Sequence, residues 1–325
     1  MNILVGVISP APIWVLPRHF VDGLRAAFPH HTFLEAWDRG TLRQLLPDAE
    51  VAFTPFVDQD VFPAAKRLRW VQSPAAGVGK LMFPDLLASE VIVTTARGVR
   101  ARSIAEHILG AAIALARALP VAVRAQARHE WAQDGLERSA RILNGSRMGI
   151  VGLGAIGAEV ARIAAPFGFQ VTAIRRRPNR PVPQGVEEVW MPDRLADLLA
   201  ISDVIVLALP HTPETKQLIG RRELDVIKPG AILINVARGK LIDDQALVEA
   251  LRDGRVGGAA LDVFATEPLE ASSPYWELPN VLITPHTAGA MPDYWTPLVA
   301  LFSDNLRRFE RGERLMNVVD KTVGY

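Results

Sequence analysis

The chain has 325 residues, of which 49% are hydrophobic and 22% charged, with a formal net charge of +1. That length exceeds one ordinary core and suggests two domains, and the near-neutral balance leaves no basic footprint for nucleic acid. The absence of cysteine excludes a disulfide framework, a thiolate zinc site and a cysteine nucleophile, and it fits a cytoplasmic protein.

Residues 1–10 (MNILVGVISP) are apolar but short and have no basic region ahead of them, so they read as a first β-strand and not as a signal peptide. Apolar runs at 3–8, 32–36, 51–53, 70–72 and 91–94 alternate with helical segments such as 19–28 and 42–46. That alternation predicts a parallel sheet of about five strands. A long helical stretch, 102–131, follows. Its most apolar part, 104–119, contains Glu106, His107 and Arg117, which marks a buried helix and no membrane span.

Residues 147–157 (RMGIVGLGAIG) then run a short strand into Gly152, Gly154 and Gly157 at the spacing G-x-G-x-x-G. The first glycine permits the strand-to-helix turn, the second lets backbone approach a pyrophosphate, and the third lets the helix pack on the strand. The helix that follows offers unpaired N–H groups and the positive end of its dipole to the anion.

A second strand at 170–174 ends in Arg175, Arg176 and Arg177, where an NAD-binding chain would carry an acid for the ribose hydroxyls. A carboxylate repels a 2′-phosphate, whereas a guanidinium binds it through charge-assisted hydrogen bonds. The run could also be a solvated loop, but its position favours NADP over NAD.

Further strands are expected at 204–209, 231–236, 259–263 and 281–284, giving a six-stranded dinucleotide-binding sheet, and an amphipathic stretch at 294–310 closes the chain. Because the glycine fingerprint lies mid-chain, the reading is α/β with two doubly wound parallel-sheet domains. A Rossmann dinucleotide-binding domain, 100–287, is inserted into a flavodoxin-like substrate-binding domain, 1–99 and 288–325. Two chain crossings make a hinge, and a cleft is the expected site.

Three segments end successive strands of the second sheet, and each carries one ionisable residue of a different kind: Arg238, Glu267 and His286. Arginine suits a substrate carboxylate and carbonyl, and histidine suits proton delivery to a forming alkoxide. A glutamate beside that histidine favours its protonated form and fixes its orientation. Taken singly, each reads as readily as a surface charge or a structural group.

In combination these segments resemble the D-isomer-specific 2-hydroxyacid dehydrogenases. The shared motifs are GLGAIG from residue 152, LALPHTPET from 207, INVARG from 234, LDVFATEPL from 261 and PHTAG from 285, and the resemblance runs from about residue 51 to 325. It implies that Arg238 binds substrate, that His286 is the acid/base and that Glu267 is its partner. It further implies that Ala155 and Ile156 lie over the pyrophosphate, with Pro210, Thr212, Val236, Ala237 and Asp262 also at the cofactor. The N–H groups of Ala76, Gly77 and Val78 would meet the substrate carboxylate, although ordinary glycine-loop chemistry explains that turn equally well. Residues 103–110 (SIAEHILG) resemble the start of the family's interdomain helix, which implies a homodimer through the dinucleotide domain. Glu106 and His107 are expected to be structural there.

The expected activity is NADP-dependent reduction of a small 2-oxo acid, of the glyoxylate or hydroxypyruvate class, to the (R)-2-hydroxy acid. No metal, nucleic-acid or membrane partner is expected. The alternative is an NAD(P)-sensing, corepressor-like regulator on the same fold, against which the lack of extended polar segments argues. One departure stands out besides Arg175. Ala96 replaces an asparagine common among relatives, and Arg97, Arg100 and Arg102 near it either favour an acidic substrate or are solvated.

Overall fold

Central strands that read as unbroken apolar runs are buried on both faces, as Val51–Phe53 and Trp70–Gln72 are, while the edge strand Thr32–Glu35 is only partly buried. The first five strands are β1 (Asn2–Val5), β2 (Thr32–Glu35), β3 (Val51–Phe53), β4 (Trp70–Gln72) and β5 (Ile92–Thr94). They pair in the order β2-β1-β3-β4-β5, every pair parallel. Helices α1 (Arg18–Ala27), α2 (Arg39–Leu45) and α3 (Pro84–Ala88) join them. The Asp38 side chain caps α2 by accepting the Thr41 N–H at 2.8 Å. The computed structural model describes residues 1–10, 12–177 and 179–322. It divides into two compact units, Met1–Val99 with Pro292–Tyr325 and Arg100–Met291.

The second unit opens with α4 (Ala101–Ala116), α5 (Leu119–Ala127) and α6 (Gln133–Ser139). Here the single helical stretch expected over 102–131 is corrected: α4 and α5 meet at a 68° bend. Ala118 takes a left-handed φ of 52° at the break, and Pro120 falls in the first turn of α5, where its missing N–H disrupts nothing. Among the described residues no single helix is long and apolar enough to cross a membrane; only this bent pair passes by length and composition.

Seven parallel strands follow: β6 (Arg147–Val151), β7 (Gln170–Ile174), β8 (Glu188–Trp190), β9 (Val204–Leu207), β10 (Ala231–Asn235), β11 (Val256–Leu261) and β12 (Val281–Ile283). Helices α7 (Ala155–Ala164), α8 (Leu195–Ile201), α9 (Arg221–Val226) and α10 (Asp244–Arg252) connect them. The order is β12-β11-β10-β9-β6-β7-β8, so the strand order reverses between β6 and β9. Ligands of open α/β sheets bind outside the carboxyl ends of the strands at such a switch point. The six strands expected here become seven. The extra strand, β8, is only Glu-Val-Trp and pairs with β7 at the sheet edge, too short a run to carry a period-two signal.

The chain then returns to the first unit as α11 (Trp295–Glu310). Its buried residues Leu298, Phe302, Asn305 and Leu306 recur at helical spacing. Phe302 stacks on Phe53 and Trp70, at centroid distances of 4.7 and 5.3 Å. Asn305 joins a buried polar chain. Its amide donates to Gln72 Oε1 at 3.3 Å, Thr94 Oγ1 donates to the same oxygen at 2.8 Å, and Trp70 Nε1 donates to Thr94 Oγ1 at 2.8 Å. The core of this unit therefore depends on a helix more than two hundred residues away in sequence. Truncating Phe302 to alanine should cost ~3–5 kcal/mol, and chemical denaturation of that variant measures it. A loss well under 1 kcal/mol would show that α11 is a loosely held appendage.

Candidate active site

Register brings the site's parts to one sheet edge. Val151 of β6 lies beside Leu207 of β9, Leu207 beside Asn235 of β10, Asn235 beside Leu261 of β11, and Leu261 beside Ile283 of β12. The segments that follow these five strand ends therefore start at one level. They carry Gly152, Pro210, Arg238, Asp262 and His286.

At the first strand end the three glycines divide their work. Gly152 has φ of 106°, and a Cβ there would meet the Ala208 carbonyl oxygen at 2.6 Å. A Cβ on Gly157, inside α7, would meet the Gly152 oxygen at 2.3 Å. Gly154 is different: it N-caps α7, is exposed, and a Cβ there would meet nothing within 4 Å. The outer two are small so that the turn and helix can close. The middle one leaves open space over a helix N-terminus, which is what a pyrophosphate needs. Ala155 and Ile156, half-buried, form the first turn of that helix. The residues present thus fit a dinucleotide.

At the end of β10, Val236 and Ala237 are buried and Arg238 is exposed. The buried Asn235 shapes this turn, its Oδ1 accepting the Ala237 N–H and its Nδ2 donating to the Arg238 carbonyl, both at 3.0 Å. Gly239 has no room for a side chain, since a Cβ would lie 1.9 Å from the Phe264 carbonyl carbon. That close approach brings the Arg238 turn against the segment leading to Glu267. The Arg238 guanidinium donates to the Ala237 carbonyl at 2.5 Å.

Asp262, 2% exposed, organises the next two strand ends. Its Oδ1 accepts from Thr284 Oγ1 at 2.6 Å, from the Thr287 N–H at 2.8 Å and from the Ala288 N–H at 3.0 Å; Oδ2 takes the Ala288 N–H at 3.0 Å. The main-chain oxygen of Asp262 accepts the His286 N–H at 2.9 Å. So anchored, His286 holds a left-handed φ of 57°, and its Nδ1 lies 2.8 Å from Glu267 Oε2. The other oxygen of Glu267 accepts the Phe264 N–H at 3.0 Å. Partial burial opposes ionisation of Glu267, but the hydrogen bonds from His286 and Phe264 and the charges of His286 and Arg238 outweigh it and lower its pKa. An ionised carboxylate only accepts, so His286 Nδ1 carries the proton and Nε2 is left facing away from the pair. Arg238, Glu267 and His286 are thus brought together. Asn235, Gly239 and Thr284 complete the arrangement without having been singled out in the sequence. Asn235 could have been found from its Asx-turn position at a strand end, whereas the reason for Gly239 is visible only in three dimensions.

A family model for the D-isomer specific 2-hydroxyacid dehydrogenase, NAD binding domain, matches residues 109–288. The glyoxylate reductase of Thermococcus gammatolerans is 32% identical over 318 residues, 95% of this chain and 94% of that protein. The chain belongs to the D-isomer-specific 2-hydroxyacid dehydrogenases. A solved member from Xanthobacter autotrophicus, in complex with NADPH and MES, has a TM-score of 0.83 and 32% identity and covers 99% of both chains. An NADPH-dependent glyoxylate/hydroxypyruvate reductase from Sinorhizobium meliloti, in complex with NADP and sulfate, has a TM-score of 0.82 and 26% identity and covers 100% of both. The protein is an NAD(P)-dependent D-2-hydroxyacid dehydrogenase, and the corepressor-like alternative draws no support from these relatives.

The remaining expected residues of the dehydrogenase are placed as follows. Arg175 continues β7, its N–H donating to the Trp190 carbonyl at 3.1 Å. Its guanidinium turns back on its own loop, donating to the Pro181 carbonyl at 3.0 Å and to the Arg180 carbonyl. Arg176 and Arg177 are exposed. The Arg176 charge reaches the loop after β9, where the Thr212 hydroxyl donates to Glu214 at 2.6 Å; that hydrogen bond, a backbone one and the Arg176 charge together lower the Glu214 pKa. In the same loop Thr215 Oγ1 donates to the Pro210 carbonyl at 2.9 Å. Arg102 pairs with Glu106 at 2.5 Å and with Glu159 at 3.4 Å. His107 Nε2 lies 3.4 Å from Thr284 Oγ1. In the first unit Ala76 and Gly77 are exposed and Val78 is buried, and among the described residues none of their N–H groups makes a hydrogen bond.

The lowered Glu267 pKa sets a pH window. A carboxyl whose folded pKa is depressed contributes fully above its unfolded value, about 4.3, and its contribution fades only as pH falls through the folded value. The difference in unfolding free energy between wild type and Glu267→Gln, read by chemical denaturation, should therefore hold between about pH 6 and pH 5 and shrink below about pH 4. A difference already shrinking between about pH 6 and pH 5 would show that Glu267 is not held ionised by this contact.

Proposed function

We propose that this dehydrogenase reduces a small 2-oxo acid of the glyoxylate and hydroxypyruvate class to the (R)-2-hydroxy acid, using NADP(H) and His286 as proton donor. The observation that carries the reading is the His286 Nδ1 contact with Glu267 Oε2, 2.8 Å long, on the sheet edge that also bears the open Gly154 turn. When bound, the nicotinamide supplies the hydride. His286 then delivers a proton from Nε2 to the carbonyl oxygen, and Glu267 stabilises the imidazolium that donates it. Arg238, exposed beside them, offers a planar guanidinium to a carboxylate and a carbonyl. In the first unit, the N–H groups of Ala76, Gly77 and Val78 make no hydrogen bond among the described residues, and we assign them to the substrate carboxylate. Relatives named glyoxylate reductase support the substrate class. We also propose a homodimer through the second unit, whose surface leaves Val123, Trp131 and Ile142 62%, 91% and 77% exposed, apolar area that a second copy would cover.

Consumption of NADPH with a panel of 2-oxo acids tests the reading. Removing the proton donor in His286→Gln should lower kcat by ~10²–10⁴-fold with cofactor affinity nearly intact. Arg238→Lys should also be severely impaired, because an ammonium lacks the two-point planar grip. Wild-type turnover in the first variant at every pH sinks the acid assignment, and near wild-type activity in the second removes Arg238 from the substrate.

For the cofactor, the Arg175 guanidinium donates to carbonyls of its own loop while Arg176 and Arg177 are exposed, which supports assigning the 2′-phosphate to Arg176 and Arg177. A charge-assisted contact is worth ~1.5–3 kcal/mol, or ~10–150-fold in affinity, and exposure pulls it to the low end. The NADPH-to-NADH ratio of kcat/KM should favour NADPH and fall by about tenfold when Arg176 and Arg177 are both replaced by alanine. An unmoved ratio would reduce the run to a solvated loop.

A further inference from the structure

Where α1 hands over to β2, two consecutive histidines meet the last residue of α11. His30 Nε2 lies 2.7 Å from Glu310 Oε1 and His31 Nε2 lies 2.8 Å from the same oxygen. The three ligand atoms all fall within 4.8 Å of one another. The His31 side chain is only 5% exposed, and its Nε2 is buried and makes no hydrogen bond despite that short separation. A buried imidazole nitrogen aimed at a carboxylate outside hydrogen-bonding geometry is left with an unmet polar demand. His30, 62% exposed, leaves one side open to water.

We propose that His30, His31 and Glu310 form a transition-metal site of the zinc class, separate from the dehydrogenase chemistry. Two imidazoles and one carboxylate suit Zn²⁺, Ni²⁺ or Cu²⁺ and are the wrong donors for Mg²⁺ or Ca²⁺. An ion about 2.0–2.2 Å from each ligand atom would open the present 2.7 and 2.8 Å separations slightly, with water completing the shell on the His30 side. Burial, the chain's amino terminus 3.4 Å from Nδ1, and His30 hold the His31 pKa down against the pull of Glu310. Burial opposes ionisation of Glu310, but the two histidines lower its pKa regardless. The groups facing the cluster include the Met1 amine, Arg311 on the residue after α11, and Arg307, whose guanidinium sits 5.1 Å over the Phe28 ring beneath His31. These positive neighbours oppose a dication and weaken its binding.

The consequence is mechanical. His30 and His31 belong to the N-terminal piece of the first unit and Glu310 to the piece that returns after residue 292, so an ion here would clip two chain segments 280 residues apart. Anything that binds only the folded state raises its stability. The test is calorimetric titration of ZnCl₂ into the metal-stripped, tag-free full chain, with thermal unfolding followed alongside. One ion per chain and a rise in Tm are expected. Loss of even an outer-shell partner weakens metal affinity ~10–100-fold, so His31→Gln, His30→Gln and Glu310→Gln should each weaken binding at least ~10-fold and abolish the Tm shift. His286→Gln should leave both unchanged. If His31→Gln fails to fold, the two partly exposed ligands still decide the matter. No saturable binding, or binding equal to wild type in His30→Gln and Glu310→Gln, overturns the proposal.

Discussion

The candidate site's histidine turn depends on one buried carboxyl. Asp262 takes four hydrogen bonds from a five-residue stretch, Thr284 to Ala288, and its own carbonyl takes the His286 N–H. A left-handed backbone at a non-glycine residue costs ~1 kcal/mol or more, so His286 would relax out of φ 57° if the turn were not over-determined. Several hydrogen bonds to one acidic group outweigh that cost. In the turn so held, the imidazole Nδ1 lies 2.8 Å from Glu267 Oε2, and an ionised carboxylate there favours the tautomer with the proton on Nδ1. Asp262 reaches the histidine through main chain alone.

The same logic holds along the rest of the edge, where small residues and polar caps set what the larger side chains can do. Gly239 admits the Phe264–Ala265 backbone at a distance no Cβ allows, and Asn235 ties off the amide and carbonyl on either side of Val236 and Ala237. Behind them lie strands with almost no exposed surface, such as β9 and β10, buried at every position. A close-packed interior transmits position faithfully because it resists compression. That is why residues far apart in sequence, from 152 to 286, arrive at one level with their spacing fixed.

Much of this was legible in the chain. Parallel strands are mostly continuous apolar runs, so eleven of the twelve strands among the described residues could be read directly, and the glycine spacing carried its own geometry. The strand missed, Glu188–Trp190, gains its identity only from pairing with β7. The break at Ala118 escaped for the opposite reason, since the apolar periodicity runs on through it while Pro120 two residues later is compatible with a helix start. For the site, residue type pointed to Arg238, Glu267 and His286, because each is an ionisable group at the end of an apolar strand. The supporting residues were harder. Thr284 and Asn235 look like ordinary loop polarity until their partners are known, and adjacency of His30 and His31 says nothing about a glutamate 279 residues beyond the second of them.

The arginine run shows where position in sequence stops being informative. Counting from the fingerprint singles out Arg175 as the residue in place of an acid, yet its guanidinium is occupied by the carbonyls of Arg180 and Pro181, so its first effect is to shape the loop that displays Arg176 and Arg177. Both side chains are exposed, and a guanidinium at the surface meets a phosphate in competition with water and salt. The attraction proposed for them is therefore modest, and the missing acid weighs at least as much in the proposed preference. An aspartate or glutamate at this strand end would hydrogen-bond the bare ribose and repel a dianionic phosphate at contact distance, two terms of the same sign. Its absence removes both at once, so the proposed preference for NADP rests on the missing carboxylate before any arginine acts.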